Sequence, residues 1–429
     1  MRSRITRATC IALLVSVFLS ACGSASFGQI RSSYPDIQVS QGNYAGYASP
    51  FLAVNPRDSR NLLGAAWFRQ TKASVLVRIG TFVSFDGGTH WHEDGLLPMP
   101  PGYMESVDET IAFNAEGTGF VTAVIRQNQH DASPSALAIW QTDDGGRHFT
   151  QPRLVEKGNY LANPWIAIDR SGSYASGLIS LAWKHGSAIE FSRSTDNGQH
   201  FTRPVVISSA NDITPNWPIV LVGEASSIHV IYLAHDWSPG HTINEAISTD
   251  QGQHFQAPHL ILQFPEIQEN NPALSSSEAA AVDPRDGTLY IIFEVTNQIP
   301  GHTDIELISS RDNGQSWSMP VFVNHDPVND PVTRFQPQIA IQANGTVDVF
   351  YLALSGTSLE SDLLQSTTRG ASFGASQPVA DLATLPSIGG ANLLGERQGL
   401  AIGGPNLYPF WSDIRNGVPR VLTALVPTV

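Results

Sequence analysis

Four acidic side chains stand where a pair of carboxyl groups could act on one bond. Glu105 and Asp108 fall in residues 98–109, Glu278 closes residues 264–278, and Asp326 lies in residues 324–336. Two carboxyls across a pocket suffice for glycoside hydrolysis: one protonates the leaving oxygen while the other attacks or activates water. Metal chemistry finds less support. The sequence has no His-x-x-x-His pair, no EF-hand loop and no cysteine cluster, the spacings that metal sites need. No metal and no cofactor is therefore expected. His235-Asp236 and His325-Asp326 are isolated pairs of the kind that hydrogen-bond within loops.

A repeat must position these residues. Residues 310–317 (SRDNGQSW) have the skeleton Ser/Thr-x-Asp-x-Gly-x-x-Trp/Phe, which recurs at 84–91, 142–149, 194–201 and 248–255. Residues 366–373 (STTRGASF) keep the first hydroxyl, the glycine and the aromatic but carry Thr368 in place of Asp. The unit suits a tight hairpin. The carboxylates of Asp86, Asp144, Asp196, Asp250 and Asp312 can accept from backbone N–H groups one or two residues on. The glycine supplies a positive φ, and the aromatic packs between neighbouring sheets. These aspartates are expected to be structural. His90, His148, His200 and His254, just before the aromatic, are expected to decorate the turn.

A second repeat is independent of the first. A small apolar triplet, Leu52-Ala53-Val54, recurs from Ile111, Ile166, Ile219, Ala280, Ile339 and Leu400 at intervals of 53 to 61 residues. A small residue between aliphatics suits a crowded innermost strand. With no long helical periodicity, the chain is expected to be all-β: seven modules of four antiparallel strands. The last module stops after three strands, and residues 36–40 alternate apolar and polar. That segment is expected to supply the missing strand and hide two sheet edges.

The octapeptide is the Asp-box, or BNR repeat, and the chain resembles the sialidase-like β-propellers over nearly its whole length after the leader. The resemblance implies a seven-bladed β-propeller over residues 36–429, with the six blades of the catalytic sialidases as the alternative. It also implies that the Asp-boxes lie on the face away from the ligand site, at the opposite axial mouth. Family enzymes use a Tyr nucleophile made more basic by a Glu, an Asp acid/base, and three arginines on the substrate carboxylate. Carried over, these imply Tyr103 with Glu105 or Glu278 as a Tyr–Glu pair, and Arg334 and Arg397 as the second and third arginines. The first arginine belongs to an Arg-Ile-Pro motif that this chain lacks; Arg126 could stand in spatially. Trp165, Trp217 and Trp237 are candidate aromatic platforms. Whether the chain turns over a glycan, binds one, or is a protein-binding scaffold is left open by these residues.

The N-terminus is an address. Arg2, Arg4 and Arg7 precede a short apolar run, and Leu19-Ser20-Ala21-Cys22 has the form of a bacterial lipobox. Residues 1–21 are expected to be a signal peptide, with Cys22 lipidated and residues 22–35 a tether to the cell envelope. The net charge of −14 becomes −17 once the three signal arginines are removed. Such a surface repels nucleic acid and anionic head groups. Membrane contact is expected only through the lipid, the partner is expected to be a glycan or glycoconjugate, and the protein is expected to be a monomer.

Overall fold

The computed structural model describes residues 34–71, 76–129, 132–171, 177–235, 240–265, 278–324, 330–380, 383–384, 394–415 and 417–429. The signal segment, Cys22, most of the tether, Trp237, His325 and Asp326 lie outside them. Among the described residues the fold is all-β, apart from one short 3-10 turn at Glu224–Ser226, and no helix is long and apolar enough to cross a membrane.

The chain runs through consecutive antiparallel meanders. The first pairs Gly46–Val54, Leu62–Arg69, Val77–Ser84 and His92–Leu96 in order. Three further four-stranded sheets begin at Glu105–Phe113, Leu161–Ile168 and Ile213–Val222. A nine-stranded sheet then holds two meanders, starting at Ala279–Val282 and Thr333–Ile341 and joined by a single parallel pair, Thr303 with Thr333. The last sheet contains Gly399–Gly403, Asn406–Asp413 and Arg420–Thr423. Its fourth strand comes from the other end of the chain: Ile37 pairs with Thr423 and Gln38 with Leu422.

Central strands are buried on both faces and accordingly are almost continuously apolar, as in Leu289–Thr296 (LYIIFEVT). Fourth strands are short and exposed, such as Val205–Val206. The core is a series of layers, each between one sheet and the next. Val121 and Trp140 meet Leu63 and Ile79, for example, and Leu181 and Trp183 meet Val124 and Leu137. The last sheet packs on the first through Tyr408 and Phe410 against Leu62, Phe82 and Trp91.

The Asp-box turn works differently from the sequence expectation. The aspartate bonds four residues on, not one or two: His90, His148, His200 and His254 each donate a backbone N–H to the Asp Oδ1 at 2.9 Å. The shorter-range bond is made to the opening hydroxyl, as Ser84 Oγ accepts from Asp86 N–H at 3.4 Å as well as from Gly88 N–H at 2.9 Å. The histidines are more than decoration, since each Nδ1 lies 2.6 to 2.7 Å from the second carboxylate oxygen. Ser316 Oγ takes that place on Asp312. In the degenerate copy, Thr368 Oγ1 accepts the Ser372 N–H at 2.9 Å, so a hydroxyl preserves the turn without a charge. The aromatic seats as expected: the Trp91 ring lies 5.5 Å from that of Phe410 on the last sheet.

Candidate axial site

The innermost strands are longer than their triplets. Residues placed in loops by their polarity, Glu105 to Glu109 and Arg334 to Gln336, belong to strands. What disguises them is a bulge two to four residues before the triplet. Pairing register slips between Ala48 and Phe51, Val107 and Thr110, Ala162 and Trp165, Asn216 and Ile219, and Phe335 and Gln338. Inside each slip one non-glycine residue has a left-handed backbone: Ser49, Asp108, Asn163, Trp217 and Gln336, with φ between 49° and 62°. Such residues cost of order 1–3 kcal/mol each; their recurrence at one level of the fold marks a built feature.

At this level, side chains link one meander to the next. Asp108 Oδ2 accepts the Asn163 N–H at 3.0 Å, and Asn163 Nδ2 donates to Asn216 Oδ1 at 2.7 Å. Gln398 Nε2 donates to Gln336 Oε1 at 2.5 Å, and Ser49 Oγ accepts the Glu396 N–H at 2.9 Å. Asp108 is thus engaged in holding two strands together.

Arg397 extends from the last sheet to aromatic rings of the third and fourth. Its guanidinium carbon lies 5.8 Å from the Trp165 ring centroid and 5.5 Å from that of Trp217, within cation–π range. Glu109 and Glu278 lie close enough to feel its charge, and only 1% and 5% of their surfaces are exposed. All four of their carboxyl oxygens, and Arg397 Nη1, are buried without a hydrogen-bond partner among the described residues. Burial pushes both carboxyls up to about 8, against the lowering pull of Arg397. At neutral pH both are therefore mostly protonated, and Arg397 is the charge of the cluster. A small cell of about 20 Å³ lies among Arg397, Glu278, Asn163, Trp165 and Trp217, room for about one water.

The other nominated residues are elsewhere or already engaged. Arg334 is buried and held by Asp304 at 2.9 Å and Asp330 at 2.7 Å. Arg126 lies 3.6 Å from Glu105, whose carboxyl is raised by burial in spite of that partner. Tyr103 is half-buried against the core between the first two sheets, and no tyrosine is among the residues lining the cell. Of the sequence candidates, the structure brings together Arg397, Glu278, Trp165 and Trp217, and it adds Glu109. A signal for Glu109 was present: it stands two residues before its triplet, where Pro50, Pro164 and Pro337 stand before theirs, and Glu278 has the same offset. No group of three or more His, Cys, Asp or Glu among the described residues could hold a metal ion.

A much larger space enters the axis from the opposite end. It measures about 960 Å³ and is lined by residues of six of the seven triplets, all but Ile339-Ala340-Ile341, and by turns after them, including Asp169–Ser171 and Gly223–Ser226. Leu62 pairs with both Val54 and Ser84, so the triplet ends and the Asp-boxes share one face. Phe51 and Trp165, packed edge to face at 5.6 Å, line both this funnel and the small cell.

No curated protein matches the sequence. Solved structures share the fold at low identity. A protein of unknown function from Dyadobacter fermentans is 12% identical, with a TM-score of 0.53 over 93% of this chain and 99% of that one. An ulvan lyase is 13% identical, with a TM-score of 0.53 over 91% and 96%. An α-L-arabinofuranosidase of Fusarium graminearum is 13% identical, with a TM-score of 0.52 over 81% and 97%. The BNR repeat-like domain family matches residues 65–351. With its recurring Asp-box turns and its succession of packed antiparallel sheets, the chain belongs to this family of sialidase-like β-propellers.

Proposed function

We propose that this chain is a seven-bladed propeller, closed by Ile37–Gln38, that binds an acidic glycan at the axial mouth. Arg397 meets a sugar carboxylate, and Trp165 and Trp217 give the ring its platform. The observation that carries this reading is the convergence of an incompletely bonded guanidinium with two neutral, unbonded carboxyls. Such a cluster offers a positive guanidinium and two carboxyl O–H donors, with no negative charge to repel an anion. The cell is too small for a sugar, so the ring sits outside it and only a small anionic group reaches inward. The glycan-acting enzymes among the structural neighbours support the ligand class by analogy. The same two carboxyls are the pair through which hydrolysis would proceed. In this reading the protein is exported, lipid-anchored through Cys22 and monomeric.

A glycan array with a fluorogenic glycoside panel, sialosides and uronosides included, tests this. The expected result is retention of acidic glycans, lost in Arg397→Ala. Silence on both would favour the second reading, a protein-binding scaffold. That reading draws on the engagement of Arg334 and Arg126 by carboxylates.

A further inference from the structure

The funnel on the Asp-box face shares Phe51 and Trp165 with the Arg397 cell but is otherwise lined by different residues, and its walls have an unusual composition. Each wall strand is the end strand of its sheet. Gly46–Val54 pairs only with Leu62–Arg69, Glu105–Phe113 only with Gly119–Arg126, and Leu161–Ile168 only with Ile179–His185. The strands beginning at Ile213, Ala279 and Gly399 behave alike. Each therefore turns toward the axis a second edge that no other strand pairs with, although Thr110 Oγ1 bridges Ile166 N–H and the Pro164 carbonyl, and Ser49 N–H bonds the Leu394 carbonyl. A free edge is a template for another strand.

Side chains leave those edges accessible. All but one of the lining triplets centre on alanine, the exception centring on Val220, and Ala53, Ala112, Ala167 and Ala401 are all half-buried where they line the space. The flanking residues are aliphatic apart from Phe113. A triplet spans about 10 Å, so three or four residues of an extended chain could lie along it before meeting Phe51 and Trp165 at the floor. Half of the rim charges are paired: Asp283 holds Arg285 at 2.7 Å and Asp286 is bonded by Arg369, while Asp169, Arg170 and Glu224 also line the space. A volume of about 960 Å³ is at the upper end of ordinary ligand sites. Alkyl walls with strand edges, and aromatic rings confined mainly to the floor, fit a peptide backbone better than a sugar face.

We propose that the funnel is a docking site for an extended peptide with small apolar side chains, which adds as a strand to an innermost sheet edge. Main-chain hydrogen bonds supply the affinity and the alanine-lined space selects small side chains.

The probe is a fluorescein-labelled hexapeptide of alternating valine and threonine, titrated into the full chain by anisotropy. Two partners carry N-methyl groups on alternate residues, one set for each edge of the strand. Saturable binding of the parent is expected, with at least a tenfold loss for one methylated series and little change for the other. Ala167→Trp, which fills the wall, is expected to abolish binding, while Met319→Ala, exposed and outside the funnel, leaves it unchanged. The methylated peptides keep the test decisive if the tryptophan variant fails to fold. Absence of saturable binding, equal binding by parent and both methylated series, or displacement of the peptide by neutral oligosaccharides would overturn the proposal.

Discussion

Replacing Glu109 and Glu278 together by glutamine isolates the axial cluster with almost no change of shape. A carboxyl whose folded pKa is raised holds its proton more tightly folded than unfolded. Its stabilising contribution is complete below the ordinary value of 4.5 and is lost as pH climbs through the folded value of about 8. Between pH 6 and pH 9 each group forfeits nearly two pH units of linkage, about 2.7 kcal/mol. The pair forfeits about 5 kcal/mol if the two act independently. Unfolding entropy for roughly 400 residues is about 0.8 kcal/mol/K, so about 5 kcal/mol corresponds to about 6 °C in Tm. Scanning calorimetry of wild type and the double variant at half-unit steps is the assay. Asp348, raised by burial to about 6, also titrates near this range, but it is common to both proteins. The Tm advantage of the variant over wild type should widen by about 6 °C between pH 6 and pH 9. Parallel curves across the range would refute the reasoning, because they would mean that both carboxyls are ionised and satisfied throughout.

Other consequences concern the frame. Thr368→Ala removes the acceptor of the Ser372 N–H and should cost about 1 kcal/mol by chemical denaturation, whereas Thr368→Asp, which restores the octapeptide, should be neutral or stabilising. Arg334→Ala leaves Asp304 buried and uncompensated and should cost about 3–5 kcal/mol, with no loss of glycan binding in whatever fraction remains folded. Deleting the chain through Ser40 removes the strand paired with Arg420–Thr423 and should lower Tm and expose that edge, as read by faster amide exchange at Val421 and Thr423.

Much of the frame was legible because its repeats are local. The octapeptide needs only eight residues to specify a hydroxyl, an acceptor, a left-handed glycine and an anchor. The triplet needs only small side chains in a narrow place. The last module lacked a strand and residues 36–40 alternated, so their pairing followed. The Asp-box bonding was misjudged because an Asx-turn was assumed where the preceding Ser or Thr already makes the short-range bond. The site was harder, because it is made by residues from different meanders meeting across the axis. Arg334 and Arg397 look alike in sequence, each just before an innermost strand. Only coordinates reveal that Asp304 and Asp330 engage one while Trp165 and Trp217 face the other. Glu109 escaped because polarity placed it in a loop, although its offset from the triplet matched that of Glu278 and of three prolines. The funnel escaped because an unpaired strand edge has no residue signature.

The most direct test of the axial cluster is a calorimetric titration of a uronate- or sialate-terminated oligosaccharide into wild type and Arg397→Ala at pH 6 and pH 9. With Glu109 and Glu278 protonated, wild type at pH 6 should bind saturably. At least tenfold weaker binding is expected both in Arg397→Ala and in wild type at pH 9, where two new negative charges face the ligand. Equal affinity across all four conditions, or equal affinity for the neutral oligosaccharide, would contradict a carboxylate-binding mouth centred on Arg397.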